Sequence, residues 1–315
     1  MGQGIVAARF PFLVPAAGGE TPWRTALLTL VFAGLAGAAA CFIVALLVLV
    51  IGAAVVANAS HLGFSQAWDL LTAFGRQGRT LQSYGFELCL AGLSSFAGAF
   101  AFLLVAARLQ RRKVASFLTT APRFRWRAVA AGLLVFFPVV GMEIGIERLT
   151  DPTSAPGPLF WLNTPVAAKL VYAATAAACL WLAALSEEMI FRGWLLQQTA
   201  AFTKRVAVIL AINGVLFSLA HFDPSPGAFV VRMGLGMAWA WIVLRTGGVE
   251  FAAGAHFANN LGIALLSRPV SLEPPKAQAF DLAGVATQIG SVVLLVVLVE
   301  VWRRRRESYE LQNQT

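Results

Sequence analysis

The stretch Thr25–Ser60, TALLTLVFAGLAGAAACFIVALLVLVIGAAVVANAS, contains no charged residue. A helix that crosses a lipid bilayer needs about 20 mostly apolar residues. The apolar region of a cleaved signal peptide is shorter, about 7–15 residues. This stretch therefore predicts a retained membrane-spanning helix.

The composition of the whole chain agrees with this prediction. Of 315 residues, 58% are hydrophobic and 12% are charged, and the mean hydropathy is +0.74. Soluble domains carry about 25% charged residues. This deficit of charge excludes a disordered chain, a disulfide scaffold and an ordinary cytosolic enzyme, and it favours an all-α, polytopic membrane helix bundle.

Further apolar runs follow the first one along the chain. They lie at about Phe86–Ala107, Ala128–Ile146, Ala167–Gln197, Val206–Ala220, Ala228–Leu244, Val249–Leu266 and Leu282–Val301. We therefore expect about eight transmembrane helices. The third run is the least regular, because Pro138 can kink it, and the fifth and seventh runs are short.

The net charge of +9 reflects short basic clusters between these runs. With both termini cytoplasmic, sixteen Lys and Arg fall on the inner side and seven on the outer side, as the positive-inside rule requires. The run Arg303–Arg306 is then a stop-transfer anchor. Such clusters meet anionic lipid, so we expect a lipid bilayer and no nucleic acid as partner.

One apolar run contains three charges in the segment Ser186–Gly193. Glu188 and Arg192 are four residues apart, so an α-helix places them on one face as an ion pair. Glu187 points about 100° away from them and is a candidate general base. The alternative is a helix end at the cytoplasmic interface with solvated charges.

Two more polar groups interrupt later apolar runs. His221 lies at the end of the fifth run, four residues after Phe217. In the seventh run Asn260 follows His256 by four residues, so His256 and Asn260 share a helix face. Taken singly, these residues are typical of a structural histidine or of hydrogen bonds between helices. Together, a carboxylate, two imidazoles and an amide can activate water and stabilise an oxyanion.

These residues fall into three ordered motifs, Glu187-Glu188-x-x-x-Arg192, Phe217-x-x-x-His221 and His256-x-x-x-Asn260. The motifs resemble those of the CAAX prenyl protease and bacteriocin-processing (CPBP, or Abi) family of intramembrane proteases. The resemblance covers residues 167–266, which we interpret as a catalytic helix core. Residues 1–166 would supply N-terminal transmembrane helices and a basic cytoplasmic loop, and residues 267–315 a last helix and a basic tail.

The resemblance implies an endopeptidase that cuts near the C-terminus of a membrane-anchored protein or peptide. By position, Glu187 would be the general base that activates water, and His221 would help to hold that water. His256 and Asn260 would donate hydrogen bonds to the developing oxyanion.

The same resemblance implies that Glu188 and Arg192 form an internal ion pair, with Phe217 as motif support. Zinc use in this family is unsettled. If zinc is bound, we expect His221, His256 and Glu188 as its ligands, but the chain lacks a His-Glu-x-x-His motif. We therefore favour a glutamate mechanism that needs no metal.

Two other functional classes stay open at this level. The first is a non-catalytic membrane chaperone, immunity or scaffold protein on the same fold. The second is a transporter with a carboxylate–histidine proton relay, for which the sequence shows no internal repeat. The excess of Arg over Lys is typical of a GC-rich bacterial genome, so we expect a bacterial inner-membrane protein.

Overall fold

The computed structural model describes residues 10–16, 22–73, 79–151 and 156–312. Arg9 and Arg76, which entered the count of charges, lie outside these ranges. The described residues form nine helices and no strand. Their bounds are α1 Pro22–Ser60, α2 Phe64–Thr72, α3 Leu81–Leu109, α4 Trp126–Thr150, α5 Val166–Ala200, α6 Val206–Leu219, α7 Pro226–Thr246, α8 Glu250–Gly262 with a π-helical turn Ile263–Ser267, and α9 Leu282–Gln312.

The all-α, polytopic class is confirmed, and each of the eight apolar runs is helical. Six helices in the described part of the chain are long and apolar enough to cross a membrane by length and composition, namely α1, α3, α4, α5, α7 and the part of α9 up to Arg305. Six of the eight predicted runs therefore meet this criterion. Helix α6 has only 14 residues and α8 only 13 before its π turn, so both fall short of this length. Helix α4 continues through Pro138.

The helices pack as a bundle around α8. Helix α4 packs along α8, α3 packs between α1 and α5, α6 packs on α7, and α9 covers α7 and α4. Helix α1 is peripheral, since only 6% of its most apolar window is buried. In contrast, the first nine residues of α8 are nearly all buried, so the bundle centre lies there.

Glycines bring α4 and α8 into direct backbone contact. A Cβ atom on Gly254 of α8 would collide with the backbone of Val129, and one on Gly132 of α4 would collide with the backbone of Phe251. Small residues of this kind let membrane helices approach closely. This contact fixes the position of His256, which lies only two residues beyond Gly254.

Candidate active site

The hairpin of α5 and α6 brings two of the predicted site residues to the same level. With a rise of about 1.5 Å per residue, α5 runs about 20 Å from Glu187 to Ala200, and α6 returns about 20 Å from Val206 to Leu219. His221 follows directly in the turn after α6. The matching length of α6 therefore places His221 beside Glu187.

The carboxylate pair lies at a change of helix type within α5. The α-helical part ends at Glu187, and Glu188–Leu195 is π-helical, with the wider i→i+5 turn. Single π-helical turns inside α-helices are frequent at functional sites. Here Glu187 is the last α-helical residue and Glu188 the first π-helical one. The Glu188 side chain is fully buried, whereas that of Glu187 is partly exposed.

Glu188 and Arg192 form the expected ion pair and are both fully buried. Glu188 Oε1 lies 3.1 Å from Arg192 Nη1, and neither side chain has exposed surface. Arg192 Nη2 donates to the carbonyl oxygen of Gly236 at 3.4 Å. Buried charges persist when they are paired and hydrogen-bonded in this way, so the pair is part of the interior and not a solvated helix end.

Aromatic rings flank the guanidinium group, and the two nearest are those of Phe217 and Trp239. The centroid of the Phe217 ring lies 4.2 Å from Arg192 Cζ, and that of Trp239 lies 5.2 Å away. Both distances are within the range of cation–π attraction. Phe217 thus packs against the ion pair.

Trp239 is a site residue that the sequence did not indicate. Its ring stacks on the imidazole of His256 with 4.2 Å between centroids and 19° between planes. Trp239 is 1% exposed, so the stack fixes the plane of His256. Nothing in the spacing of α7 distinguishes Trp239 from Trp241, because the partner ring comes from another helix.

Hydrogen bonds fix the protonated nitrogen of both histidines. His256 Nδ1 lies 3.0 Å from Glu188 Oε1, and His221 Nδ1 lies 2.8 Å from the carbonyl oxygen of Phe217. Carboxylate and carbonyl oxygens only accept, so Nδ1 is the donor in each ring. In the neutral rings, Nε2 therefore carries a lone pair.

Both of these Nε2 atoms face the carboxylate of Glu187. The distance to Glu187 Oε2 is 3.9 Å from His221 and 3.7 Å from His256. These separations are too long for direct hydrogen bonds, and Oε2 accepts none from the described residues. The two imidazoles thus approach the same carboxylate oxygen.

Asn260 lies one turn beyond His256 on α8. Asn259 Nδ2 donates to Asn260 Oδ1 at 3.2 Å, which leaves Asn260 Nδ2 as the donor of that amide. Asn259 is a second residue that sequence reasoning missed. Its adjacency to Asn260 was visible, but neighbours in a helix point in different directions, so no contact was expected.

Two ion pairs outside the predicted motifs hold the segments that carry the histidines. Glu250, the first residue of α8, is fully buried and paired with Arg125 at 2.7 Å. Asp223 follows His221 in the loop before α7 and is paired with Arg232 at 2.7 Å. Burial alone would raise the pKa of Asp223, but hydrogen bonds from Ser225 and Arg232 outweigh it and lower that pKa below its usual value.

The geometry also bears on metal binding. Two ligands bound to one tetrahedral zinc ion at about 2.0–2.1 Å lie about 3.3 Å apart. The distances from Glu187 Oε2 to the Nε2 atoms of His221 and His256, 3.9 and 3.7 Å, are longer than this. No group of three His, Cys, Asp or Glu side chains within the described ranges is arranged to hold a metal ion. Glu188 contacts the Nδ1 side of His256, so it does not join the Nε2 atoms as the expected third ligand. The expectation of a mechanism that needs no metal stays a prediction.

Comparisons with known proteins agree with the motifs. Residues 169–262 match the family described as type II CAAX prenyl endopeptidase, Rce1-like. This match confirms the resemblance for the segment that carries the three motifs. The chain is also 27% identical over 158 residues to a Bacillus subtilis (strain 168) protein named "Uncharacterized protein YyaK", with 48% of this chain and 51% of that protein covered. The chain thus spans about half the length of the curated relative it matches.

Proposed function

We propose that the protein is an intramembrane endopeptidase that hydrolyses a peptide bond near the C-terminus of a membrane-anchored protein or peptide. The single observation that carries this proposal is the convergence of two imidazole Nε2 atoms on Glu187 Oε2, at 3.9 and 3.7 Å. The family match over residues 169–262 supports a peptidase of this class.

In the proposed mechanism, one water molecule occupies the position between Glu187, His221 and His256. The water donates one hydrogen to Glu187 Oε2 and the other to an Nε2 lone pair. Its own lone pair is then directed at the carbonyl carbon of the substrate. Glu187 takes the proton as the C–O bond forms, and later delivers it to the leaving amine, so the products are one carboxylic acid and one amine.

The oxyanion that forms in this step needs hydrogen-bond donors. Asn260 Nδ2 is the donor that the local hydrogen bonds leave available. His256, which the motif suggested as a second donor, is held as an acceptor at Nε2 by its Nδ1 bond to Glu188. We therefore assign His256 to the water and Asn260 to the oxyanion.

Glu188, Arg192 and Trp239 are positioning residues in this scheme. Glu188 fixes the tautomer of His256, Arg192 compensates the charge of Glu188, and Trp239 fixes the ring plane. A carboxylate that accepts from the far nitrogen of a catalytic imidazole performs the same task in serine proteases.

The experiment uses purified protein in liposomes with a pool of synthetic peptides, each with an N-terminal palmitoyl anchor and an apolar C-terminal segment of about ten residues. Mass spectrometry of the products identifies the bond that is cut. Glu187→Ala and Glu187→Gln should each lower cleavage by at least about 10²–10⁴-fold, which is the contribution of a general base. Full cleavage by Glu187→Gln would remove Glu187 from the role of base.

The same assay tests metal dependence. A metal-independent glutamate mechanism predicts equal rates with and without 1,10-phenanthroline. If the chelator abolishes cleavage and zinc restores it, the donors that face each other, Glu187 Oε2 and the two Nε2 atoms, are the residues to test as ligands.

The alternative is a non-catalytic chaperone, immunity or scaffold protein on the same fold. It predicts that Glu187→Gln is silent in cells, because an amide preserves hydrogen bonds but cannot act as a base. We further propose a bacterial inner-membrane location with both termini cytoplasmic, which reporter fusions at the C-terminus would test.

A further inference from the structure

A cavity of about 310 Å³ lies between α1, α3 and the middle of α5. Its walls are mainly small side chains, and Glu187 lies on one of them. The lining includes Gly34, Ala38 and Cys41 from α1, Ser95 and Ala99 from α3, and Glu187 from α5. Its volume is at the lower end of the range for small-molecule sites, so it accommodates a few side chains.

The cavity approaches Glu187 from the side of α1 and α3, whereas the histidines come from α6 and α8. Glu187 therefore has histidines on one side and an apolar space on the other. A peptide bond that is attacked by a water between Glu187 and the histidines must have its flanking residues next to Glu187, and this cavity is the space available there.

The rim of the cavity opens toward lipid. Ala38 and Ser95 are exposed residues in the middle of two helices long enough to cross the membrane. The hydroxyl of Ser95 makes no hydrogen bond with another described residue, unlike that of its neighbour Ser94, which donates to the carbonyl of Leu90. A hydroxyl at this rim is available to a peptide group that arrives from the bilayer.

The shape of the cavity is set by a tight crossing of α1 and α3. A Cβ atom on Gly37 would lie 2.9 Å from the carbonyl oxygen of Gly98, and one on Gly98 would lie 3.0 Å from that of Gly37. The backbones meet there, so the crossing holds the two walls in place.

The chemistry of the lining selects the occupant. Apart from Glu187, the described lining residues carry no acidic or basic side chain. A charged side chain placed there would lose its hydration without an ionic partner other than Glu187. An α-helical segment would also keep its carbonyls in internal hydrogen bonds and away from the attacking water.

From these observations we propose that the cavity is a substrate subsite which takes the extended, apolar segment next to the bond that is cut, entering from lipid between α1 and α3. Ala38, Ser95 and Ala99 then determine which side-chain sizes are accepted. This inference rests on the proposed function. The α1 and α3 walls lie outside the family match at 169–262, so the specificity belongs to this chain's own N-terminal helices.

The test uses the full-length Glu187→Gln variant in liposomes, so that no cleavage is needed. The probe is a palmitoylated Leu- and Val-rich peptide of about ten residues with p-benzoylphenylalanine at its centre. After irradiation, mass spectrometry should find adducts within residues 34–41 and 95–102. Ala38→Leu or Ser95→Leu should lower their yield about tenfold, because overfilling a packed site of this kind is unfavourable.

Ala39→Leu is the matched control, since Ala39 is an exposed neighbour outside the lining, and it should leave the yield unchanged. Adducts elsewhere, or equal effects of Ala38→Leu and Ala39→Leu, overturn the subsite. If benzophenone-labelled palmitate without a peptide competes with the probe for these adducts, the occupant is a lipid chain, and this result also overturns the subsite. If cleavage depends on Glu187 but these adducts are not found, the subsite is rejected and the proposed peptidase function is kept. If the adducts are found but Glu187→Ala is fully active, the subsite is kept and the proposed role of Glu187 in cleavage is rejected.

Discussion

Removal of one charge from the Glu188–Arg192 pair should destabilise the whole bundle. Glu188→Gln leaves the Arg192 guanidinium fully buried without its counter-charge. The charged atoms are 3.1 Å apart, which corresponds to an attraction of about 5 kcal/mol at an effective dielectric constant of about 20. Breaking a buried pair by removing one partner costs about 3–5 kcal/mol, so we expect a loss of this size.

A double-mutant cycle separates the interaction free energy of the pair from the contributions of the two single residues. Arg192→Met should also be destabilising, because Glu188 then keeps only His256. The double variant Glu188→Gln, Arg192→Met contains no unpaired charge, so it should lose much less than the sum of the two single variants. We expect a coupling of at least about 2 kcal/mol, since contacting residues of a network do not behave additively.

The assay is unfolding in mixed micelles by titration with SDS, followed by tryptophan fluorescence and helicity. The control is Glu300→Gln, which breaks the Arg245–Glu300 pair, whose side chains are 20% and 23% exposed. Partly exposed pairs contribute about 1 kcal/mol or less. If Glu188→Gln is no more destabilising than Glu300→Gln, or if the cycle is additive, the buried pair does not have the role described.

Three further predictions concern other parts of the bundle. Mild oxidation with copper phenanthroline should join Cys89 and Cys179, whose sulfurs are 3.3 Å apart, and leave Cys41 as a thiol in peptide mapping; a disulfide to Cys41 would contradict the α3–α5 packing. Gly254→Leu should abolish folding in a thermal-shift assay because its side chain meets the Val129 backbone, whereas Gly145→Ala, with open space around it, should be neutral or slightly stabilising. Because the Asp223 pKa is lowered in the folded state, Asp223→Asn should be less stable than the parent at pH 7, and this difference should close as the pH falls below about 4; a difference independent of pH would exclude the ionic contribution.

Much of the fold was visible in the sequence because each apolar run is long compared with its charged connections. Every run became a helix, and the ion pair of Glu188 and Arg192 followed from their spacing alone. Six of the eight runs meet the length criterion for a span, since hydropathy registers apolar character and does not fix the bounds of a short helix such as α6, which has 14 residues.

The parts of the site that were missed all depend on contacts between helices. The stack of Trp239 on His256 and the bond from His256 to Glu188 join residues far apart in the chain, so no local pattern encodes them. The proposed reassignment of His256 from the oxyanion to the water has the same origin, because only the partner at Nδ1 decides whether Nε2 donates or accepts.

The position of the ion pair within a single helix has a consequence for biogenesis. Arg or Glu alone near the centre of a helix opposes its insertion by about 2.5–3.5 kcal/mol on translocon scales. Glu188 and Arg192 are four residues apart, so they can neutralise each other as soon as α5 emerges, before any later helix has been made. Glu187 meets its histidines only after α6 and α8 have been made, so the proposed site stays incomplete until α8 is in place.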